Sequence, residues 1–175
     1  MSHHVIPSPD EREAALYERF RALGISWKTY EHEPVFTVEE STAVSGAIPG
    51  GHTKNLFLKD KKGGLWLVVV RAHLRADLSA LAKQLHAPRF SFGSADLLVA
   101  TLGIQPGSVT PFALMNDADR EVKPVLDEAL MKLDPVNFHP LRNDRTTAIS
   151  PEDLLRFVKA CGHDPLVAPI PDVAG

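Results

Sequence analysis

The sequence predicts an α+β fold: a single domain with a mixed, mostly antiparallel β-sheet flanked by helices. Three observations lead there. The chain has 175 residues, a length at which one domain is the default. Capping signals recur along it, each opening a run of helical periodicity. Between them, apolar runs are joined by tight turns, whereas a doubly wound parallel sheet would alternate strands with helices throughout. No internal repeat or interdomain linker is visible, and the domain core spans about residues 10–162.

Ser8-Pro9-Asp10-Glu11 is a capping box with Pro at the first helical position, and the helix runs to about Leu23, where Gly24 stops it. Ile25 to His32 reads as a strand, with Trp27 and Tyr30 as packing residues. Thr37 to Glu40 is a second capping box, opening a short helix that ends near Gly46. Then comes the central hairpin. Leu56-Phe57-Leu58 enters it, Asp60 to Gly64 turns the chain, and Leu65-Trp66-Leu67-Val68-Val69-Val70 returns as a strand with both faces covered.

Asp77 caps a helix to Leu85, Arg89 to Phe92 alternates as a short strand, and Ser94 caps a helix that Gly103 closes. Phe112 to Met115 reads as a strand, followed by a turn at Asn116 to Asp119. Val122 to Leu126 is a strand in which Pro124 argues for an edge position or a bulge. One helical turn at Glu128 to Met131 precedes a hairpin of Val136 to His139 with Thr146 to Ile149. Ser150 caps the last helix, which ends at Gly162, and the Pro-rich tail over residues 163–175 is expected to be loosely held.

Hydrophobic residues make up 44% of the chain and charged residues 23%, as in soluble globular domains. The net charge of −3 carries no global nucleic-acid signature, so any RNA contact needs a local basic patch. The one cysteine, Cys161, rules out an internal disulfide framework and a multi-cysteine zinc site, and fits a reducing cytoplasm. Residues 1–10 lack the apolar stretch of a signal peptide, and no apolar run approaches the ~20 residues that span a bilayer.

The chemistry-bearing stretches are two. In Gly50-Gly51-His52-Thr53-Lys54-Asn55, a lysine and an amide stand at the mouth of the central hairpin, where rigid backbone holds them. Gly103 to Pro111 is a Gly/Pro loop able to present main-chain groups in a fixed shape. Lys54, Lys59, Lys61, Lys62, Arg71 and Arg75 fall on or beside the hairpin and together can follow a phosphate backbone. The eight histidines show no ligand spacing, so no metal is expected. No nucleophile elbow, Walker loop or dinucleotide fingerprint occurs.

His-Thr-Lys-Asn-Leu-Phe-Leu ahead of a hairpin, with Gly107-Ser108-Val109-Thr110-Pro111 ahead of Phe-Ala-Leu, resembles the free-standing trans-editing proteins of the YbaK superfamily, related to the prolyl-tRNA synthetase editing domain. The likeness is greatest to the alanyl-tRNA(Pro) deacylase type. It implies hydrolysis of the ester of mischarged alanyl-tRNA(Pro) without cofactor, metal or covalent intermediate. It also implies that prolyl-tRNA synthetase is a possible partner. Lys54 and Asn55 are then the catalytic pair, and Gly107, Ser108, Val109, Thr110 and Pro111, with His139, bind the aminoacyl group. Lys54, Lys59, Arg71 and Arg75 contact the acceptor end of the tRNA. Cysteinyl-tRNA(Pro) is the rival substrate, and non-catalytic binding of nucleic acid or a synthetase the rival class. A side chain at Gly107 is expected to intrude on the site.

Overall fold

In a computed structural model, described over residues 7–34 and 46–173, the helical starts fall where the capping residues put them. Helix α1 spans Pro9–Leu23, with the Ser8 hydroxyl accepting from the Glu11 amide and Gly24 in the left-handed conformation at φ 69°. Asp77 caps α2 (Leu78–Gln84), Ser94 caps α3 (Ala95–Leu102), and Ser150 caps α4 (Pro151–Ala160), each through its side chain. The helix expected from Thr37 to Gly46 lies mainly outside the described residues.

The strands form two sheets. Strand β1 (Lys28–Glu31) pairs with β7 (Arg145–Ile149), which pairs with β6 (Val136–Phe138), all antiparallel. The larger sheet is mixed. It contains β2 (Thr53–Asp60), β3 (Leu65–Arg71), β4 (Phe90–Phe92), β5 (Val122–Asp127) and β8 (Leu166–Ala168), in the order β4-β2-β3-β5-β8. Antiparallel pairs join β2 to β3 and β4, and parallel pairs join β5 to β3 and β8.

Strand β3 is the centre of the core because alternation sends its side chains both ways. Leu65, Leu67 and Val69 face a large cluster with Leu16 and Phe20 of α1, Leu98 and Leu102 of α3, and Leu154 and Phe157 of α4. Trp66, Val68 and Val70 face a smaller cluster with Leu58, Phe90, Leu81 and Ile170. Phe20, Phe112 and Phe157 meet edge to face, with centroids 5.2 to 5.6 Å apart. Buried Glu13 fastens α1 to the smaller sheet: it pairs with Arg145 and accepts from the Tyr17 hydroxyl at 2.8 Å.

Three expectations are corrected. Phe112 to Met115 is part of a 3-10 turn, Pro111–Asn116, not a strand, because Thr110 caps it and Pro111 sets its first residue. Strand β5 is not an edge strand; β8 begins pairing only at Val125, which leaves Pro124 free of a ladder bond on that side. The segment over residues 163–173 is held rather than loose. It supplies β8, buries Ile170, and closes on residues 75–77 through Asp77 N–H to the Pro171 carbonyl (2.8 Å) and Val173 N–H to the Arg75 carbonyl (2.9 Å).

Candidate functional site

The site is built where, among the described residues, part of one side of β2 has no strand neighbour. Even-numbered residues of β2 bond towards β3: His52 O accepts from Ala72 N–H, and Asp60 N–H donates to Gly64 O. Odd-numbered residues therefore point the other way. Gly51 is taken by the start of β6, donating to Pro135 O and accepting from Asn137 N–H, and Phe57 O is taken by Gly93 N–H. Strand β4 covers β2 only over Leu58 to Asp60. Between these flanks, Thr53 and Asn55 turn their main-chain groups to an edge that no strand pairs among the described residues, although the Thr53 hydroxyl donates to Asn137 O at 2.6 Å.

A cavity of about 190 Å³ opens at this edge, lined by residues that include Asn55, Phe57, Gly93, Leu98, Pro106 and Val109. The Asn55 Oδ1 is buried and has no hydrogen-bond partner. A buried acceptor left unmet costs about 1–3 kcal/mol, so this orphan on a residue that lines the cavity draws attention to Asn55 as a place for a donor from a ligand. A larger cavity, about 240 Å³, lies between α1 and α3, but its polar groups are already engaged. Arg12 donates to Leu141 O, Thr101 to Leu97 O and Asn116 to Leu102 O. It makes no comparable demand for a ligand.

The sequence profile of the aminoacyl-tRNA editing domain matches residues 32–157, most of the chain and both walls of this cavity. The chain belongs to the aminoacyl-tRNA editing domain family. It is 44% identical over 162 residues to the prolyl-tRNA synthetase associated domain-containing protein 1 of Bos taurus, covering 90% of this chain and 94% of that protein. It is 36% identical over 150 residues to the prolyl-tRNA editing protein ProX of Acetoanaerobium sticklandii, covering 85% and 92%. A solved structure of a proposed trans-editing enzyme for prolyl tRNA synthetase shares the fold, with a TM-score of 0.70 over 95% of this chain and 99% of that one at 22% identity.

Within this editing domain, the two stretches singled out from sequence meet: Asn55 from β2 and Val109 from the Gly/Pro loop share the cavity. Lys54 is on the opposite face of β2 from Asn55, by strand alternation, beside the same uncovered edge. The rest of the loop has other duties. Gly107 is exposed, and a Cβ there would face Asn143 Nδ2 at 3.5 Å, an ordinary contact outside the cavity. This removes the expectation that a side chain at Gly107 fills the site. Ser108 is buried and its N–H donates to Gln105 O, the Thr110 hydroxyl caps the next turn, and Pro111 is buried beneath it.

His139 does not line the cavity; its Nδ1 donates to Arg145 O at 2.9 Å, and its ring centroid is 6.3 Å from that of His32. Burial holds its pKa below the ordinary histidine value, and the nearby His32 adds to this against the carbonyl bond. Lys59 and Arg75 are exposed. Arg71 has a structural partner: its Nε donates to buried Asp127 at 2.8 Å, tying β3 to β5. Among the described residues, no group of three His, Cys, Asp or Glu gathers in a way that could hold a metal ion, and no helix is long and apolar enough to cross a membrane.

Sequence reasoning missed Phe57, Phe92, Gly93, Ser94 and Leu98 as cavity residues. The signal for them was Gly93 between a strand and the N-cap Ser94. A Cβ at Gly93 would overlap the Phe57 ring, so only glycine lets β4 pass that close to β2.

Proposed function

We propose that this protein is a trans-editing deacylase that hydrolyses the ester of alanyl-tRNA(Pro). The observation that carries the reading is Asn55, whose buried Oδ1 has no partner, lining a small cavity beside a strand edge that no described residue pairs. In the proposed pose the aminoacyl group enters between Asn55, Leu98 and Val109. The Asn55 Oδ1 accepts from the α-ammonium group, a charge-assisted bond that fixes the ester's position. The Asn55 main-chain N–H meets the carbonyl oxygen as negative charge develops on it.

Lys54 reaches around the uncovered edge to the terminal phosphate, and Lys59 and Arg75 extend the cationic surface towards the acceptor stem. Arg71, held by Asp127, and His139 stand outside this contact set. An aminoacyl ester is already activated, so orientation supplies much of the rate. The ribose 2′-hydroxyl assists the attacking water, and no protein base of shifted pKa is required.

Selectivity rests on size. A small apolar pocket excludes a larger side chain by overlap but holds a smaller one only weakly. Cognate prolyl-tRNA is therefore spared, and the name of the ProX relative, a prolyl-tRNA editing protein, supports the same tRNA. The test is deacylation of alanyl-, cysteinyl- and prolyl-tRNA(Pro) by the purified protein. Fastest release from the alanyl ester, with the prolyl ester intact, is the expected result. Preference for the cysteinyl ester would reassign the substrate, and turnover of none would leave a binding protein.

A further inference from the structure

One residue bordering the cavity has a ring that the fold does not bury. Phe92 is 67% exposed, the highest value among the exposed large apolar side chains of the described residues. Its anchor is nonetheless fixed: Phe92 pairs with Leu58 across β4 and β2, and Gly93 behind it is locked against Phe57. We propose that Phe92 is the stacking platform for the terminal nucleobase of the tRNA whose aminoacyl end enters beside Asn55. The proposal rests on the deacylase reading for what the cavity holds, but the stacking step has its own readout.

Three features favour a base. Phe92 is among the residues bordering the cavity that would receive the ester, with its side chain on the Leu58 and Lys54 face at the sheet's edge, and the base is covalently next to that ester. An aromatic face with no hydrogen-bonding group accepts any base by stacking, which suits a strand end that is the same in every tRNA and needs no sequence readout. Charge is placed to match: Lys54 shares a strand face with Leu58, four residues or about 13 Å along β2. Exposed Lys59 follows Leu58, and neither lysine has an ion pair among the described residues.

A protein partner would be favoured by a contiguous apolar patch. The exposed Leu166 and Val167 instead sit on β8, at the opposite edge of the five-stranded sheet from β4.

The test uses the trinucleotide CCA and a matching ligand with the terminal base removed, titrated into wild type, Phe92→Ala and Phe92→Trp. Phe92 is exposed, and unchanged melting temperatures would confirm that the variants fold. Stacking predicts that Phe92→Ala weakens CCA binding roughly ten-fold or more, that Phe92→Trp retains it, and that the abasic ligand binds all three alike. With alanyl-tRNA(Pro), the same factor would appear in KM.

Equal binding of CCA by wild type and Phe92→Ala would overturn the proposal. So would a loss confined to association with prolyl-tRNA synthetase. If CCA binding depends on Phe92 while no aminoacyl-tRNA is hydrolysed, stacking stands and the deacylase reading falls. If hydrolysis proceeds with a KM indifferent to Phe92, the deacylase reading stands and stacking falls.

Discussion

Asn55 carries a cost that its neighbours do not. Its Oδ1 is buried and unmet in the free protein, so the side chain works against stability until a donor arrives. Asn55→Ala removes that orphan, and thermal unfolding should show a melting temperature unchanged or raised. Deacylation of alanyl-tRNA(Pro) should fall about ten-fold to a hundred-fold, as loss of one hydrogen bond to a charged group does. A joint loss of stability and activity would instead make Asn55 a structural residue.

Two glycines near the site make a second comparison at this scale. A Cβ at Gly93 would overlap the Phe57 ring, and that buried ring can move only into the cavity or the core. Gly93→Ala should therefore cost about 1–3 kcal/mol in denaturant unfolding and depress activity by narrowing the pocket. A Cβ at Gly107 meets only Asn143, at an ordinary 3.5 Å and with no positive φ to strain. Gly107→Ala should leave both stability and turnover close to wild type.

At the scale of elements, what was legible in the sequence was local. Ser8, Asp77, Ser94 and Ser150 each announce a helix because capping is settled within three residues of the cap. The central hairpin is legible for the same reason, since Asp60 to Gly64 closes it by neighbouring bonds. The apolar run Phe112 to Met115 misled because burial does not separate a strand from a tight turn in so short a piece. The uncovered edge of β2 was not legible at all. It depends on where β6 and β4 stop, and those contacts join residues 30 to 86 positions apart.

The segment over residues 163–173 misled by composition: proline and alanine suggested looseness, yet Ala168 and Ile170 are buried and β8 bonds to β5. Truncation after Asp164 should lower stability by at least about 2 kcal/mol, from the lost Ile170 burial alone, measured by urea unfolding. A truncated chain as stable as the full one would show that β8 merely rests on the sheet.

The whole molecule answers to pH through groups set against each other. His139 is held below its ordinary value of 6.5, by burial first. The unfolded chain therefore takes up that proton before the folded one as pH falls. The stability His139 contributes is present above about 6.5 and lost progressively below it. Asp144 is held below the ordinary carboxylate value by the Arg142 hydrogen bond, so its contribution lasts to lower pH and fails only as the carboxylate protonates. Melting temperature should drop in two stages on acidification. His139→Asn, which can keep a donor for the Arg145 carbonyl, should flatten the first stage and spare the second.

The break in the ladder along β2 has a consequence for how this protein lives among other chains. Unpaired strand edges invite association, and a long one would template the addition of another protein's strand. Here, among the described residues, the unpaired main chain extends only over Thr53 to Asn55, with β6 joined at Gly51 and Gly93, just past β4, at Phe57 on either side. That length offers too few bonds to register an incoming strand, and its flanks block one from lying alongside. It is a slot for the end of a chain and not for its middle. The protein thus keeps adhesive backbone at its surface without the hazard of polymerising through it.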